Sequence, residues 1–275
     1  MEISDKFIWK PTEETCRHHF LLPQNIRAIL IGKFVAEKGV VLNHLLLTPS
    51  ILVYNNLIVY GKTLFQKEYQ IIKKCFDKQF SKEQIKVLFD NQNEVKKEGG
   101  VDNFLSNYDG PCFGDITVDF NDDDATLKEP QEYDETKKHV MVLDDVMLSS
   151  QNKVEKFFTM GRHSKINVMY LTQSYFRLQR HSIRSNSNIF IFFKQCDKNL
   201  LHIYYDHVST DCSFEEFKRF CYNVWDSGNH NFVLIDTTKS SDCGKYRKNL
   251  SFYWSPKFDR IKQQTLSFDS LLEEE

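Results

Sequence analysis

The sequence has no apolar run near the ~20 residues that a membrane-spanning helix needs, so no membrane segment is predicted. It has no excess of one charge: 36 Lys and Arg stand against 38 Asp and Glu, and the net charge is −2. A global basic field for nucleic acid is therefore excluded, and any DNA contact must come from a local patch. It has no C-x-x-C pair. Its seven cysteines, Cys16, Cys75, Cys112, Cys196, Cys212, Cys221 and Cys243, are odd in number and scattered, the usage of a reducing compartment. Cys16, His18 and His19 cluster, but no zinc-ligand spacing follows them. Met1–Lys10 carries acidic residues and no apolar core, which excludes a signal peptide. No internal repeat is visible. These absences predict a soluble intracellular protein of cytosol or nucleus.

What is present is a core. The chain is 41% hydrophobic with 23 Phe and 12 Tyr, which excludes disorder. Residues 1–250 are expected to form one domain and 251–275 a frayed tail ending in three glutamates. Arg27–Ile31, Leu57–Tyr60, His139–Leu143, Asn167–Thr172, Ile189–Phe193 and Phe232–Asp236 read as buried strands. Helices are expected over Val40–Leu47, Gln66–Phe80, Asn152–Gly161 and from Ser213 to Trp225. Ser81 with Gln84 and Ser213 with Glu216 have the spacing of capping boxes. Residues 90–138, rich in Gly, Asn and acids, read as a surface insertion. Continuous apolar strands alternating with helices predict an α/β fold with a parallel sheet covered on both faces.

Ligands bind open parallel sheets at the carboxyl ends of the strands. Three such ends draw attention. After the first strand comes Gly32-Lys-Phe-Val-Ala-Glu37-Lys38-Gly39. A phosphate-binding loop reads G-x-x-x-x-G-K-[ST]: glycines let N–H groups wrap phosphates, the Lys neutralises them and the hydroxyl holds Mg²⁺. Gly32 and Lys38 have the required spacing, but Glu37 replaces the second glycine and Gly39 the hydroxyl residue. The third strand ends in Asp144-Asp145, the form in which one carboxylate orients Mg²⁺ and the next polarises the attacking water. The fourth ends in Thr172-Gln173, a polar tip within reach of a γ-phosphate. Lys156 to Cys196 contains seven Lys or Arg and no acid, with Tyr175 and Phe176 inside it. This stretch is either a DNA-phosphate surface or a solvated face balanced by the acidic insertion.

The block Gly161-Arg-His-Ser-Lys-Ile-Asn-Val-Met-Tyr-Leu-Thr-Gln-Ser-Tyr175 resembles one found in the genome-packaging ATPases of Polinton-type elements and related large DNA viruses, members of the FtsK–HerA superfamily. Tyr60-Gly-Lys-Thr-Leu-Phe-Gln-Lys-Glu-Tyr69, Val142-Leu-Asp-Asp145 and Ile203-Tyr-Tyr-Asp-His-Val-Ser209 resemble its other blocks. The resemblance spans about residues 21–236. It implies a P-loop NTPase of the ASCE type with a mostly parallel sheet. It implies ATP and Mg²⁺ as cofactors, a ring of subunits, double-stranded DNA as substrate and a capsid protein as partner, with a possible place in the virion. Lys38, with Gly32 and Gly39, is then the phosphate site, Asp144 the Mg²⁺ carboxylate, Asp145 the catalytic acid and Gln173 the sensor. Arg162 is the candidate trans-acting arginine, and Arg177, Arg180 and Arg184 are candidate DNA contacts. The altered loop leaves two activities open: an impaired packaging ATPase, or a non-catalytic pseudo-ATPase of a domesticated element that holds DNA or partner subunits.

Overall fold

The computed structural model describes residues 17–33, 35–49, 51–91, 95, 99–123, 126–147, 151–161, 163–250 and 252–257. The expectations for Met1–Lys10, Cys16, Arg162 and residues 258–275 lie outside them. The chain builds a nine-stranded sheet from β1 (Arg27–Ile31), β2 (Asn56–Gly61), β3 (Thr117–Asn121), β4 (His139–Asp144), β5 (Ile166–Thr172), β6 (Ile189–Phe192), β7 (Val233–Asp236), β8 (Tyr246–Lys248) and β9 (Phe252–Trp254). The helices are α1 (Val35–Leu47), α2 (Lys67–Asp77), α3 (Lys82–Asp90), α4 (Gly100–Asn107), α5 (Gln151–Thr159), α6 (Asp197–His207) and α7 (Phe214–Asp226). Strand order is β3-β2-β4-β5-β1-β6-β7-β8-β9. All pairs from β3 to β6 are parallel, and those beyond β6 are antiparallel.

The central strands are apolar throughout because both faces are covered. Alternate residues serve opposite cores. Ala28 and Leu30 of β1, with Val140 and Val142 of β4, pack with α1, α2 and α3 residues such as Leu42, Leu45, Ile72, Phe76 and Ile85. Ile29, Ile31, Met141 and Leu143 face the other way, toward Val154 and Phe157 of α5, Leu200 and Ile203 of α6, and Phe217 and Val224 of α7. Each such side chain, fully buried, is worth about 1.5–3 kcal/mol. Both capping boxes form: Ser81 Oγ accepts from the Gln84 N–H and Ser213 Oγ from the Glu216 N–H, with the reciprocal bonds present.

Several elements differ from the sequence reading. Helix α1 begins at Val35, five residues before the expected start, because Lys38-Gly39 reads locally as loop while nothing before it breaks a helix. Strand β7 is antiparallel to β6. Two helices, α6 and α7, connect them where a parallel crossover would use one, and β7 returns against β6. Within the stretch read as an insertion, β3 pairs with β2 and closes one edge of the sheet. Leu105 of α4 is buried in the first core. Strand β3 is only partly buried and carries Asp119, as suits an edge.

Candidate functional site

Strand β5 lies between β1 and β4, so the carboxyl ends of all three are side by side. The first end is closed by Gly32, whose N–H donates to the Thr172 carbonyl at 3.1 Å. Lys38, in the first turns of α1, folds back over this point and is buried. Its Nζ donates to the Gly32 carbonyl at 2.8 Å and the Thr172 carbonyl at 3.4 Å. The ammonium thus sits across the ends of β1 and β5. Only residues 32–34 separate β1 from α1, and among the described residues 32–39 none has positive φ. A wrapping loop of glycine N–H groups is therefore replaced by a short turn into the N-terminus of a helix. Glu37 is the third residue of that helix and Gly39 lies within it.

The second end is held by close packing. Gly61 of β2 is the register partner of Asp144, and a Cβ on Gly61 would lie 2.5 Å from the Asp144 carbonyl oxygen. Only glycine allows that approach. Asp144 is buried and accepts from the Tyr69 hydroxyl at 2.8 Å and from the Asp145 N–H. Asp145 is exposed and adopts the left-handed conformation, φ 54°, which costs a non-glycine residue about 1–3 kcal/mol and is concentrated at functional sites. The strain is held by the buried Val146, whose carbonyl accepts from Gln151 Nε2 at 2.7 Å. At the third end, the Thr172 hydroxyl is tied to the Ser174 backbone, and Gln173 is exposed.

Burial pushes the Asp144 carboxyl above the usual carboxylate range. The Tyr69 hydroxyl and the Lys38 charge oppose this, and the neighbouring Asp145 adds to it. The Tyr69 phenol is itself driven far above its ordinary value, first by burial and then by the Asp144 charge. A carboxylate with a raised folded pKa costs the fold free energy while charged. That cost is full at neutral pH and is relieved as pH falls through the raised pKa. Asp144→Asn, which keeps an acceptor for Tyr69, is therefore expected to raise the thermal midpoint at neutral pH, with the gain shrinking toward about pH 4. Thermal unfolding of both proteins at the two pH values checks this. An equal or lower midpoint at neutral pH would mean that attraction to Lys38 outweighs the cost of burial.

The structure thus brings together Gly32, Lys38, Asp144, Asp145 and Gln173, with Gly39 one residue beyond Lys38. Tyr69 was not legible as a site residue, since its bond to Asp144 spans 75 residues. Arg162 lies outside the described residues. Arg177 and Arg180 are exposed on the segment after β5. Arg184 is buried, its Nη1 donating to Asp206 at 2.8 Å and its guanidinium lying 5.0 Å from the Tyr175 ring centroid. It faces an intramolecular acid, unlike the other two.

The donor set suits part of what Mg²⁺–ATP requires. Lys38 would supply a cation for phosphate and Asp144 a buried carboxylate for the metal, but Gly39 has no hydroxyl to offer it. The topology defines an α/β fold with a mostly parallel nine-stranded sheet, and this set of strand ends is gathered at one end of it. No protein-family model matches the chain, and no curated protein matches it. Among solved structures, it is similar to the genome packaging NTPase B204 of Sulfolobus turreted icosahedral virus 2 in complex with AMP. Identity is 11%, covering 82% of this chain and 98% of that one, with a TM-score of 0.47. It is also similar to the pCW3 conjugation coupling protein TcpA with ATPgS (11% identity, 90% and 66% covered, TM-score 0.38). A third is the cytoplasmic domain of the Thermomonospora curvata Type VII secretion ATPase EccC (10%, 87% and 29%, TM-score 0.40). Among the described residues no helix is long and apolar enough to cross a membrane.

Proposed function

We propose that this chain is a packaging-type ATPase, an intracellular subunit of a ring that drives double-stranded DNA into a capsid. The observation that carries the reading is the buried Lys38 ammonium across the ends of β1 and β5, with Asp144-Asp145 at the next strand end. Mg²⁺–ATP supplies the anhydride to be split and the cation that neutralises its phosphates. Lys38 would turn from the two carbonyls to the outer phosphates. Asp144 would hold the metal through its water shell, and Tyr69 would fix that carboxylate's orientation. Asp145, exposed and held in one conformation, would accept a proton from the attacking water. Gln173 would meet the γ-phosphate, Arg162 would reach a neighbouring subunit's nucleotide, and Arg177 and Arg180 would meet DNA phosphates.

Binding of a fluorescent ATP analogue with Mg²⁺, compared between the parent and Lys38→Ala, tests the reading. Saturable micromolar binding lost in the variant is expected. A second reading, a non-catalytic protein holding DNA or partner subunits, is favoured by one observation: α1 begins at Val35, which leaves three residues in place of a wrapping loop. A folded parent that binds no analogue would establish the second reading over the first.

A further inference from the structure

A cavity of about 430 Å³ lies at the other end of the sheet from Lys38. Ser187 precedes β6 and Thr237 follows the antiparallel β7, so both stand where the parallel strands begin. Arg180, Arg184 and Lys245 line the cavity with Ser185, Ser187 and Thr237, whose hydroxyls donate to the carbonyls of Arg180, Ile183 and Asn188. Asp206 is its acidic wall residue among the described residues and is already engaged. It accepts from Tyr175 at 2.9 Å and Arg184 at 2.8 Å, and Arg180 lies 3.6 Å away. Lys245 reaches Asp211 behind the wall at 2.6 Å. Arg184 Nε is buried with no hydrogen-bond partner. His207, also lining the cavity, is held neutral near physiological pH: burial pulls it down to about 4. Three cations around one lining carboxylate, with the unpartnered Arg184 Nε among them, are the chemistry of a phosphate site.

The rim adds aromatic rings. Tyr205 borders the cavity and is 65% exposed, and Phe176 is 54% exposed. Phe176 packs on His202 with ring centroids 4.8 Å apart, and Lys198 Nζ lies 5.7 Å from the Phe176 centroid. Lys198, His202 and Tyr205 share one face of α6 by their i, i+4, i+7 spacing. Two exposed rings, set among Lys198, Arg177 and Arg180, thus follow that face into the cavity. Exposed rings interleaved with cations form the platform on which unpaired bases stack, whereas duplex bases are closed to such contact.

We propose that this face binds a nucleic-acid strand with unpaired bases, its phosphate in the cavity and its bases on Tyr205 and Phe176. The inference rests on the nucleic-acid part of the function proposed above and is independent of chemistry at Lys38. Fluorescence anisotropy of the full chain with a labelled single strand of about 20 nucleotides, and with the same sequence as a duplex, tests it. Tyr205→Ala and Arg180→Gln are each expected to weaken single-strand binding about tenfold, and Tyr205→Ala to leave duplex binding unchanged. Both side chains are exposed, so unchanged thermal midpoints should accompany the loss. Lys38→Ala should leave strand binding intact, which separates this face from the nucleotide site. Parent-level affinity for the single strand in both variants, or an equal loss of duplex binding in Tyr205→Ala, would overturn the proposal. Complete displacement by free AMP would assign the cavity to mononucleotides and overturn the strand reading. A chain that binds neither DNA form would sink this inference together with the DNA role, while analogue binding at Lys38 would still stand.

Discussion

Asp236→Ala is expected to destabilise the fold by about 3–5 kcal/mol. Asp236 and Arg247 are the most deeply buried ion pair among the described residues, 0% and 1% exposed, with Nη2 and Oδ2 at 2.8 Å. The other carboxylate oxygen accepts from the Thr238 N–H and hydroxyl. The guanidinium also donates to the carbonyls of Gly244 and Leu21. One side chain therefore joins β7 and β8 to the segment that precedes β1. Removing the acid leaves a buried cation among carbonyls with no counter-charge, and that penalty exceeds the worth of the lost bond. In a chain of this size, a loss of that order lowers the midpoint by roughly 10 °C. Replacing both partners, Asp236→Leu with Arg247→Met, should recover part of the loss, because the Gly244 and Leu21 carbonyls then lose their donor. Thermal and urea unfolding of the single and double variants measure both. A single-variant loss under about 1 kcal/mol would mean that water reaches Arg247.

Much of this architecture was legible because the central strands are covered on both faces. Arg27–Ile31, His139–Leu143 and Asn167–Thr172 are apolar end to end, and no helix period competes with them. The edges were harder. Strand β3 alternates Val118 and Phe120 with Asp119 and Asn121, and β8 and β9 have three residues each. Helix α6 also went unread, since its first two turns mix Asp197, Lys198 and Asn199 with Leu200 and Leu201. At the site, Lys38 and Asp144 could be placed because spacing from a strand end is a local signal. Tyr69 could not, because its partner is set by how α2 crosses the sheet. Charge counting likewise grouped Arg180 with Arg184, although only the second is buried against Asp206. That distinction depends on where α6 brings its acid, which sequence spacing does not carry.

The altered loop yields the other large effect. Glu37→Gln combined with Gly39→Thr is expected to raise affinity for Mg²⁺–ATP by roughly 10²-fold. Two like charges ~4 Å apart at an effective dielectric of ~20 repel by about 4 kcal/mol, and about 1.4 kcal/mol is one decade of affinity. Removing the Glu37 charge from the first turn of α1 relieves up to that much. It also forfeits about 0.3–1 kcal/mol of favourable interaction with the helix dipole, so a small loss of stability should accompany the gain. Gly39 lies inside α1, and a Cβ there would meet nothing within 4 Å. Threonine can therefore be accommodated, and its hydroxyl would offer Mg²⁺ a ligand that Gly39 does not. Gly39→Ala separates the two consequences. It should stabilise the helix by about 0.5–1 kcal/mol, since glycine is costly in a helix interior, and leave affinity unchanged. Titration of the ATP analogue into parent, single and double variants reads the affinities, and thermal midpoints read the stability. If the double variant binds no more tightly than the parent, phosphates do not approach the N-terminus of α1, and the nucleotide role of Lys38 falls with it.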